Sequence, residues 1–330
     1  MQRRKLGKYG PEASTIGLGA MGMSGMYGPS DRQESLATIR AALDAGVTLI
    51  DTGDFYGMGH NEMLIGEALQ GVARDNFLVS VKFGALRDPA GGWSGYDARP
   101  AAVKNFLAYT LQRLCLDYVD IYRPSRLDPN VPVEDTIGAI ADMVKAGYVR
   151  HIGLSEVGAQ TLRRAAAVHP ISDLQIEYSL ISRGIEAEIL PAVRELGIGL
   201  TAYGVLSRGL ISGHWRKDPL TLADFRAHSP RFQGANVDAN LALVEALRKV
   251  AEEKGVSVAQ VAIAWVATQG EDIVPLVGAR RRDRLAEALG ALDLVLSRSD
   301  LAAIERAVPK DAAAGARYAT MQMAQLDSEK

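Results

Sequence analysis

Eight short runs of apolar, mostly branched residues recur along this 330-residue chain, and they constrain its fold more than any other feature. They are STIGL (14 to 18), VTLID (47 to 51), FLVSVK (77 to 82), YVDIYR (118 to 123), VRHIGL (149 to 154), LQIE (174 to 177), GIGLTAY (197 to 203) and DIVPLV (272 to 277). Amphipathic stretches such as RQESLATIRAALDAG separate them, and several end in glycine, a helix stop signal. Most runs begin about 23 to 40 residues after the previous one, which suits a strand-helix unit. Eight such units predict a (β/α)8 TIM barrel.

No low-complexity linker divides the chain, so we expect residues 1–330 to form a single domain. The N-terminal segment RRKLGKYGPEASTIGL predicts a β-hairpin that turns at Gly10-Pro11 and plugs the bottom of the barrel. The interval from 203 to 272 is the longest, and about its first half lacks helical periodicity. We therefore predict a long loop after strand 7, and loops of this length are usually functional or disordered. The tail after Val308 is a second segment expected to lie over the mouth.

Charge and composition exclude several classes of function. With 37 basic and 39 acidic residues the net charge is −2, so no overall field attracts nucleic acid or an anionic membrane. No apolar stretch reaches the ~18 residues of a membrane span, and the N-terminus lacks a signal-peptide pattern. The single Cys115 excludes an internal disulfide and fits a cytoplasmic protein; its context LQRLCLDY favours a buried side chain. Five histidines without paired spacing predict no metal site.

The segment IGLGAMGMSG (16 to 25) fits the dinucleotide-binding pattern G-x-G-x-x-G through Gly17, Gly19 and Gly22. That pattern requires a strand that runs directly into a helix. Here the glycines lead into MSGMYGPSD, which cannot continue as a helix. The match does not predict a Rossmann domain.

Three polar residues stand at or just beyond predicted strand ends, where a barrel of this kind carries its chemistry. Asp51 closes VTLI, Lys82 closes FLVSV, and Tyr56 follows Asp51 by five residues in DTGDFYGMGHNE. A buried Asp and Lys satisfy each other's charge as a pair, and a nearby ammonium makes a phenol easier to deprotonate. The three predict a tunable proton donor. A structural ion pair, or two residues facing solvent, remains the alternative.

These stretches resemble the aldo-keto reductase family over nearly the whole chain. LIDTGDFYGMGHNEMLIGEAL is similar to the family's Asp and Tyr signature, and VSVKFG to its lysine strand. GYVRHIGLSE, LQIEYSL and AYGVLSRGLISG are similar to its cofactor-contacting strand ends, and IVPLVGARRRDRLAEAL to its adenosine-phosphate motif. IGLGAMGMSG resembles the first strand and the loop that faces the nicotinamide.

The resemblance implies a catalytic role for each of these polar residues. Tyr56 would be the general acid for the carbonyl oxygen, Lys82 would lower its pKa, and Asp51 would hold Lys82. The family's usual histidine lies in a stretch resembling LYQxHRxDP, and IYRPSRLDP has Ser125 at that position. Strand alternation places Arg123 and Ser125 on one inward side, so we expect one or both to act near the substrate oxygen. Alternatively, Arg123 only neutralises Asp51 or the cofactor.

The run GARRRDR (278 to 284) crowds four arginines at a helix start, where the helix dipole favours an anion instead. A 2′-phosphate would satisfy them, and we expect Arg280 and Arg284 to bind it while Arg282 points outward. This predicts NADPH as the cofactor, with NADH less favoured. The resemblance assigns further cofactor contacts to Gly19, Ala20, Met21, Asp51, Ser155, Gln175, Tyr203, Leu206, Ser207, Arg208, Gly209, Gly278, Ala279 and Glu287. The family's usual Asn positions hold Glu156 and Ala288 in this chain.

The sequence thus predicts an NADPH-dependent oxidoreductase that reduces an aldehyde or ketone, or runs the reverse reaction. One alternative is a cofactor-binding regulatory subunit that resembles the potassium-channel β subunits and turns over little. Another is a barrel that forms a Schiff base through Lys82. We expect Phe55, Trp93 and Met23 to influence the choice of a small-molecule substrate, whose identity the sequence leaves open, as it does the oligomeric state.

Overall fold

The computed structural model describes residues 1–217, 220–221 and 224–330. Its strands are β1 Arg3–Lys5, β2 Glu12–Ser14, β3 Gly17–Gly19, β4 Leu49–Gly53, β5 Leu78–Phe83, β6 Ala85–Arg87, β7 Trp93–Tyr96, β8 Val119–Pro124, β9 Val149–Ser155, β10 Ile171–Glu177, β11 Gly199–Tyr203 and β12 Ile273–Gly278. Eight of these strands pair in the ring order β3, β4, β5, β8, β9, β10, β11 and β12. All pairs are parallel, and β12 closes on β3 through Leu276 beside Gly17 and Gly278 beside Gly19. The predicted (β/α)8 barrel is confirmed.

Helices cover the outside of the barrel. They are α1 Arg32–Asp44, α2 His60–Ala68, α3 Pro100–Leu114, α4 Val133–Lys145, α5 Ala159–Val168, α6 Ile189–Glu195, α7 Gly234–Glu253, α8 Val258–Ala267, α9 Arg282–Leu289, α10 Arg298–Ala307 and α11 Thr320–Met323. Side chains cap three of the starts in the described residues: the Asp31 carboxylate accepts a hydrogen bond from the Glu34 amide, and capping boxes join Ser257 with Gln260 and Ser297 with Asp300. The local sequence therefore determines where these helices begin.

The barrel strands lie within three residues of the apolar runs that predicted them. The largest shifts are at STIGL, whose Ser14 ends β2 so that β3 begins only at Gly17, and at LQIE, where β10 starts earlier, at Ile171. Both shifts follow from pairing, since Ser14 pairs with Arg3 in the hairpin and Ile171 pairs with Ile152 on the neighbouring strand.

The N-terminal hairpin plugs the barrel as predicted. Strands β1 and β2 pair antiparallel, and the Leu6 amide donates to the Pro11 carbonyl across the turn at 3.0 Å. Leu6 is fully buried and packs in one cluster with Leu49, Ile121 and Val274 from the interior of the barrel. This apolar cluster fills the lower interior and leaves polar residues at the upper end.

Two segments reach the mouth of the barrel. The long loop after β11 contains short 3-10 turns at Ser207–Ser212, Phe225–His228 and Pro230–Phe232 before α7 begins. Residues 218–219 and 222–223 of this predicted loop lie outside the described residues. The tail after α10 places Arg317 and Leu326 in buried positions, and its Ser328 amide donates to the Glu156 carbonyl at the end of β9. The tail thus lies over the mouth, as predicted.

Two smaller sequence interpretations have different outcomes. Gly17 and Gly19 belong to a barrel strand followed by the 3-10 turn Met21–Ser24, which agrees with the rejection of a Rossmann turn. The prediction that Cys115 is buried is wrong, because Cys115 is exposed. It caps the end of α3 in a left-handed conformation with φ of 55°, where the chain leaves the packed face of the helix.

Within residues 1–217, 220–221 and 224–330, no helix has both the length and the apolar character needed to cross a bilayer.

Candidate active site

The predicted Asp, Tyr and Lys come together at the carboxyl ends of the first strands of the barrel. Asp51 lies on β4, Lys82 on the adjacent β5, and Tyr56 on the loop that follows β4. The Lys82 ammonium forms an ion pair with the Asp51 carboxylate, and its Nζ lies 5.2 Å from the centroid of the Tyr56 ring. All three residues are at most 6% exposed. The arrangement puts a phenol, an ammonium and a carboxylate in one buried group.

The Asp51 carboxylate is held from two further directions. Its Oδ2 accepts a hydrogen bond from Ser80 Oγ at 2.8 Å and another from Gln175 Nε2 at 2.6 Å. Ser80 lies on β5 and Gln175 across the barrel on β10. The side-chain amide of Gln175 therefore donates to Asp51 in this structure. The expected contact of Gln175 with the cofactor carboxamide stays a prediction.

The electrostatics of the group differ from the expectation for Tyr56. Burial, and then the nearby Asp51, raise the pKa of the Tyr56 phenol well above its ordinary value. Burial lowers the pKa of Lys82, while Asp51 opposes this by stabilising the ammonium. The sequence prediction that Lys82 lowers the pKa of Tyr56 is not reflected in the net shift, because burial disfavours the phenolate more than nearby cations favour it. Tyr56 is consequently protonated at neutral pH.

Arg123 does not reach the mouth. Its side chain is fully buried; Nη1 forms an ion pair with Asp173 at 2.9 Å, and Nη2 donates to Ser80 Oγ at 2.9 Å. Asp173 also accepts a hydrogen bond from Thr201. The guanidinium therefore neutralises Asp173, not Asp51 as the alternative interpretation held, and it contacts Asp51 only through Ser80. Our hypothesis for Arg123 is therefore a positioning role and not a direct contact with the substrate.

Ser125 and Ser155 have buried hydroxyls without a partner. Ser125 is 2% exposed and Ser155 is 1% exposed, and neither Oγ finds a hydrogen-bond partner among the described residues. Burying a hydroxyl without a hydrogen bond costs free energy, so such atoms mark places where a ligand supplies the partner. Both were predicted as site residues, one near the substrate oxygen and the other near the cofactor carboxamide.

Arg126 is a residue of the mouth that the sequence reasoning missed. Its Nη1 donates to the Ser125 carbonyl at 2.6 Å, and its Nη2 contacts Tyr318 Oη at 3.5 Å. Strand alternation predicted that Arg123 and Ser125 point inward. However, β8 ends at Pro124, so the alternation does not apply to the residues that follow it. The only available signal was the position of Arg126 directly after Ser125 in the family-like motif.

Glu156, at the position where many family members have Asn, is joined to the C-terminal tail. Its carboxylate pairs with Arg317 and accepts a hydrogen bond from Tyr203 Oη at 2.6 Å. Burial alone would raise the pKa of Glu156, but Arg317 outweighs it and holds that pKa well below its ordinary value. Its φ of 54° is a left-handed conformation that favours Asn or Gly over Glu, and strain of this kind clusters at functional sites.

Two surface clefts meet at Arg280. One, of about 720 Å³, is lined by Pro29, Ser30, Asp31, Glu34, Arg280, Arg281, Arg282 and Asp283. The other, of about 380 Å³, lies between the Tyr27–Pro29 segment and the long loop after β11, and includes Trp215 and Arg226. Arg280 Nη1 donates to the carbonyls of residues 27 to 29 at 3.0 to 3.3 Å. Three consecutive arginines thus border an open cleft at the start of α9.

The remaining arginines of this run have carboxylate partners. Arg282 is exposed, as predicted, and pairs with Glu34, whereas Arg284 pairs with Glu287 at 3.1 Å. His214 from the long loop also contacts Glu287. The expected contact of Glu287 with an adenine stays a prediction.

Other predicted cofactor residues line the rim between these clefts and Tyr56. Gly19 and Gly278 are adjacent on β3 and β12, and a Cβ on Gly278 would meet only the Gly19 carbonyl, 4.0 Å away. The pair leaves an open backbone surface next to Ala20, Met21 and Ala279. On β11 and its loop, Tyr203 leads into the turn that contains Leu206, Ser207, Arg208 and Gly209. Arg208 pairs with Glu177, while its Nη1 has no partner among the described residues.

Of the three residues expected to influence substrate choice, two lie at the rim. Phe55 packs edge-on against Tyr56 at 4.8 Å and against Trp93 at 5.7 Å between ring centroids. Trp93 is 45% exposed on the β6-β7 hairpin, whereas Met23 is buried in the outer core at 1%. Phe55 and Trp93 can contact a substrate, and Met23 supports the loop beneath.

The described side chains include no group of three His, Cys, Asp or Glu residues arranged to hold a metal ion.

Comparison with known proteins gives a consistent result. Residues 15–309 match the family model described as "Aldo/keto reductase family". A curated relative from Glycine max, "Probable aldo-keto reductase 1", is 40% identical over 322 residues, which are 96% of this chain and 92% of the relative. The solved glycerol dehydrogenase from Gluconobacter oxydans superposes with a TM-score of 0.84 at 28% identity, covering 92% of this chain and 94% of the other. A thermostable aldo-keto reductase in complex with the inhibitor epalrestat superposes with a TM-score of 0.75 at 27% identity, covering 93% and 100%.

Proposed function

The chain belongs to the aldo/keto reductase family and is an oxidoreductase, and on that premise we propose that it reduces an aldehyde or ketone to an alcohol, reversibly, with NADPH and with Tyr56 as the acid. The convergence of Asp51, Lys82 and Tyr56 carries the proposal. A structural ion pair alone would not require a phenol beside the ammonium at the end of the barrel where such folds place their chemistry. We also propose a small-molecule substrate and a cytoplasmic location, which the chain's charge and single cysteine support.

Tyr56 supplies the proton in this scheme. Bound NADPH would supply a hydride to the carbonyl carbon, and the Tyr56 hydroxyl donates its proton to the carbonyl oxygen, leaving a phenolate and an alcohol. The raised pKa of Tyr56, caused first by burial, keeps this proton in place until it is needed. Lys82, held by Asp51, then stabilises the phenolate charge because its ammonium lies beside the ring. A proton from solvent restores Tyr56.

Several features support a dinucleotide at this mouth. The unpartnered Ser155 Oγ suits a carboxamide, and the unpartnered Nη1 of Arg208 suits a pyrophosphate oxygen. The open surface of Gly19 and Gly278 admits a flat ring close to the backbone. The arginines around the larger cleft suit the 2′-phosphate that distinguishes NADPH from NADH. The residues present therefore fit the cofactor.

The test is steady-state NADPH consumption with a panel of aldehydes and ketones, for the wild type and for Tyr56→Phe. Removing a general acid typically lowers turnover by about 10²- to 10⁴-fold. We expect this loss in kcat, with the dissociation constant for NADPH unchanged when measured by fluorescence. Tyr109→Phe, at an exposed tyrosine, is the matched control and keeps full activity.

Three outcomes would overturn the proposal. NADPH binding without turnover of any carbonyl would favour a regulatory subunit that only senses the cofactor. A borohydride-trapped adduct on Lys82 would favour Schiff-base chemistry. Full activity of Tyr56→Phe would remove Tyr56 from the mechanism.

A further inference from the structure

Arg126 differs from the other arginines that face the mouth and the barrel interior. Arg123 pairs with Asp173, Arg208 and Arg231 pair with Glu177, and Arg317 pairs with Glu156. Each of those guanidinium groups has a carboxylate within 3.5 Å. Arg126 makes no ion pair with any residue in the described part of the chain; its contacts are one carbonyl and one phenol oxygen.

The surroundings of Arg126 are polar but carry little negative charge of their own. Tyr318 from the tail lies against it, with the guanidinium 5.9 Å from the ring centroid. Burial disfavours the charge of Arg126, but Tyr203, Tyr318, Glu156 and Tyr96 together outweigh burial and raise the pKa of Arg126. Glu156, the carboxylate of this group, is already paired with Arg317. The half-buried guanidinium of Arg126 therefore has no carboxylate of its own as a partner among the described residues, and burial of an unpaired charge is costly.

Arg126 also lies on the side of the mouth where the chemistry occurs. It holds the carbonyl of Ser125, whose hydroxyl has no partner, and its charge lowers the pKa of Tyr56 against the effects of burial and Asp51. The two clefts near α9 share Arg280, and Arg126 is not among the residues that line them. We therefore look for the counter-charge of Arg126 in the substrate.

We propose that Arg126 binds an anionic group of the substrate, so that the preferred substrates are carbonyl compounds that carry a carboxylate or phosphate near the carbonyl. A guanidinium pairs well with either anion through paired hydrogen bonds. This inference rests on the proposed carbonyl reduction, and it names the substrate class of that site.

The test compares charged and neutral carbonyls of similar size. Succinic semialdehyde against pentanal tests a carboxylate, and glyceraldehyde 3-phosphate against glyceraldehyde tests a phosphate. We expect the wild type to prefer at least one charged member by about 10-fold or more in kcat/KM, as a charge-assisted hydrogen bond allows. In Arg126→Met this preference falls to near unity, mainly because KM rises for the charged aldehydes and not for the neutral ones. Arg126→Lys recovers part of it.

A binding measurement separates the inference from turnover. Calorimetric titration of the NADPH-loaded protein with succinate should detect binding to the wild type and none to Arg126→Met. Arg163→Met, on the exposed face of α5, is the control that loses a positive charge elsewhere and behaves as the wild type. Circular dichroism and NADPH affinity verify that Arg126→Met is folded.

Three outcomes overturn the inference. They are a wild type without preference for either anion, succinate binding that survives in Arg126→Met, and an equal loss of kcat/KM for charged and neutral aldehydes in Arg126→Met. The last would mean that the guanidinium acts on the reacting oxygen. If no carbonyl is reduced at all, the proposed function fails, and the succinate titration still decides whether Arg126 binds an anion.

Discussion

At the scale of single residues, one short motif uses two aspartates in opposite ways. Asp51 is paired with Lys82 and accepts two further hydrogen bonds. Asp54, three residues later, is buried with Oδ1 unpartnered, and its Oδ2 accepts a long hydrogen bond from the Gly84 amide, at 3.3 Å. Burial, and then the neighbouring Glu62, raise the pKa of Asp54 to about 7. The environment of each carboxyl, and not its residue type, determines its charge.

Asp54→Asn should therefore change how stability depends on pH. The ordinary pKa of Asp is about 3.9, so between that value and about 7 the folded protein binds more protons than the unfolded chain. Wild-type stability then falls as pH rises through this window, by at most about 1.4 kcal/mol per pH unit. Asp54→Asn lacks this pH-dependent loss of stability. Its stability relative to the wild type therefore increases between pH 5 and pH 7 and stays constant above pH 7.

Urea unfolding at several pH values measures this difference. Asp75→Asn, at an exposed aspartate, is the control and should give a constant difference from the wild type. Parallel curves for Asp54→Asn and the wild type would show that Asp54 is ionised throughout.

At the scale of elements, the C-terminal tail brings charged residues to the mouth of the barrel, and helix α9 brings charged residues to the arginine-lined cleft. The tail is held by Arg317, which pairs with Glu156 on the barrel and with Glu329 in the tail itself. The Asp327 carboxylate also accepts a hydrogen bond from the Gly158 amide at 2.8 Å, just before α5. The position of the tail over the mouth thus depends on the buried ion pairs of Arg317 with Glu156 and Glu177 and on a few hydrogen bonds.

Arg317→Met should release the tail. It leaves Glu156 buried without its counter-charge, a change that typically costs about 3 to 5 kcal/mol. The lowered pKa of Glu156 means that this stabilisation is complete above about pH 4.3, the ordinary pKa of Glu, and is lost as pH falls further. Hydrogen exchange at the Gly158 and Ser328 amides should be faster in Arg317→Met at pH 7. Arg306→Met, an exposed arginine on α10, should leave both amides protected; unchanged exchange in Arg317→Met would contradict this account.

Helix α9 should determine the preference for NADPH. Arg280→Met and Arg284→Met each remove a candidate phosphate contact, and hydrogen bonds to charged groups contribute about 1.5 to 3 kcal/mol. We expect NADPH to bind about 10-fold or more weakly, with NADH affinity unchanged, as measured by fluorescence titration. Arg281→Met and Arg282→Met are the comparison set, because both residues also line the cleft. A larger loss of NADPH affinity in that set would indicate that the phosphate binds at Arg281 and Arg282.

At the scale of the whole molecule, a polar chain crosses the interior of the barrel. It runs from Lys82 through Asp51, Ser80, Arg123 and Asp173 to Thr201. Gly153 makes room for it, since a Cβ there would lie 3.0 Å from the guanidinium carbon of Arg123. The apolar cluster around Leu6 fills the bottom of the barrel. The chain links strands on opposite sides of the barrel to the Tyr56 group.

Arg123→Met should destabilise the whole barrel by about 3 to 5 kcal/mol, because Asp173 is then buried without a counter-charge. The double variant Arg123→Met, Asp173→Asn should recover most of this loss in urea unfolding. At a temperature where the single variant is folded, its KM for neutral aldehydes should be unchanged. A change in that KM with stability unaffected would instead place Arg123 in contact with substrate.

The sequence by itself determined the barrel, the hairpin plug and the strand-end positions of Asp51 and Lys82. Those features depend on periodicity along the chain and on the rule that parallel strands end on one face, so local order is enough. Tertiary structure decided the partners of charged groups: Arg126 meets Tyr318 across 192 positions, and Arg317 meets Glu156 across 161. It also decided that Arg123 faces Asp173 and that burial raises the pKa of Tyr56. Charge pairing and desolvation depend on distances in space, and no spacing along the chain encodes them.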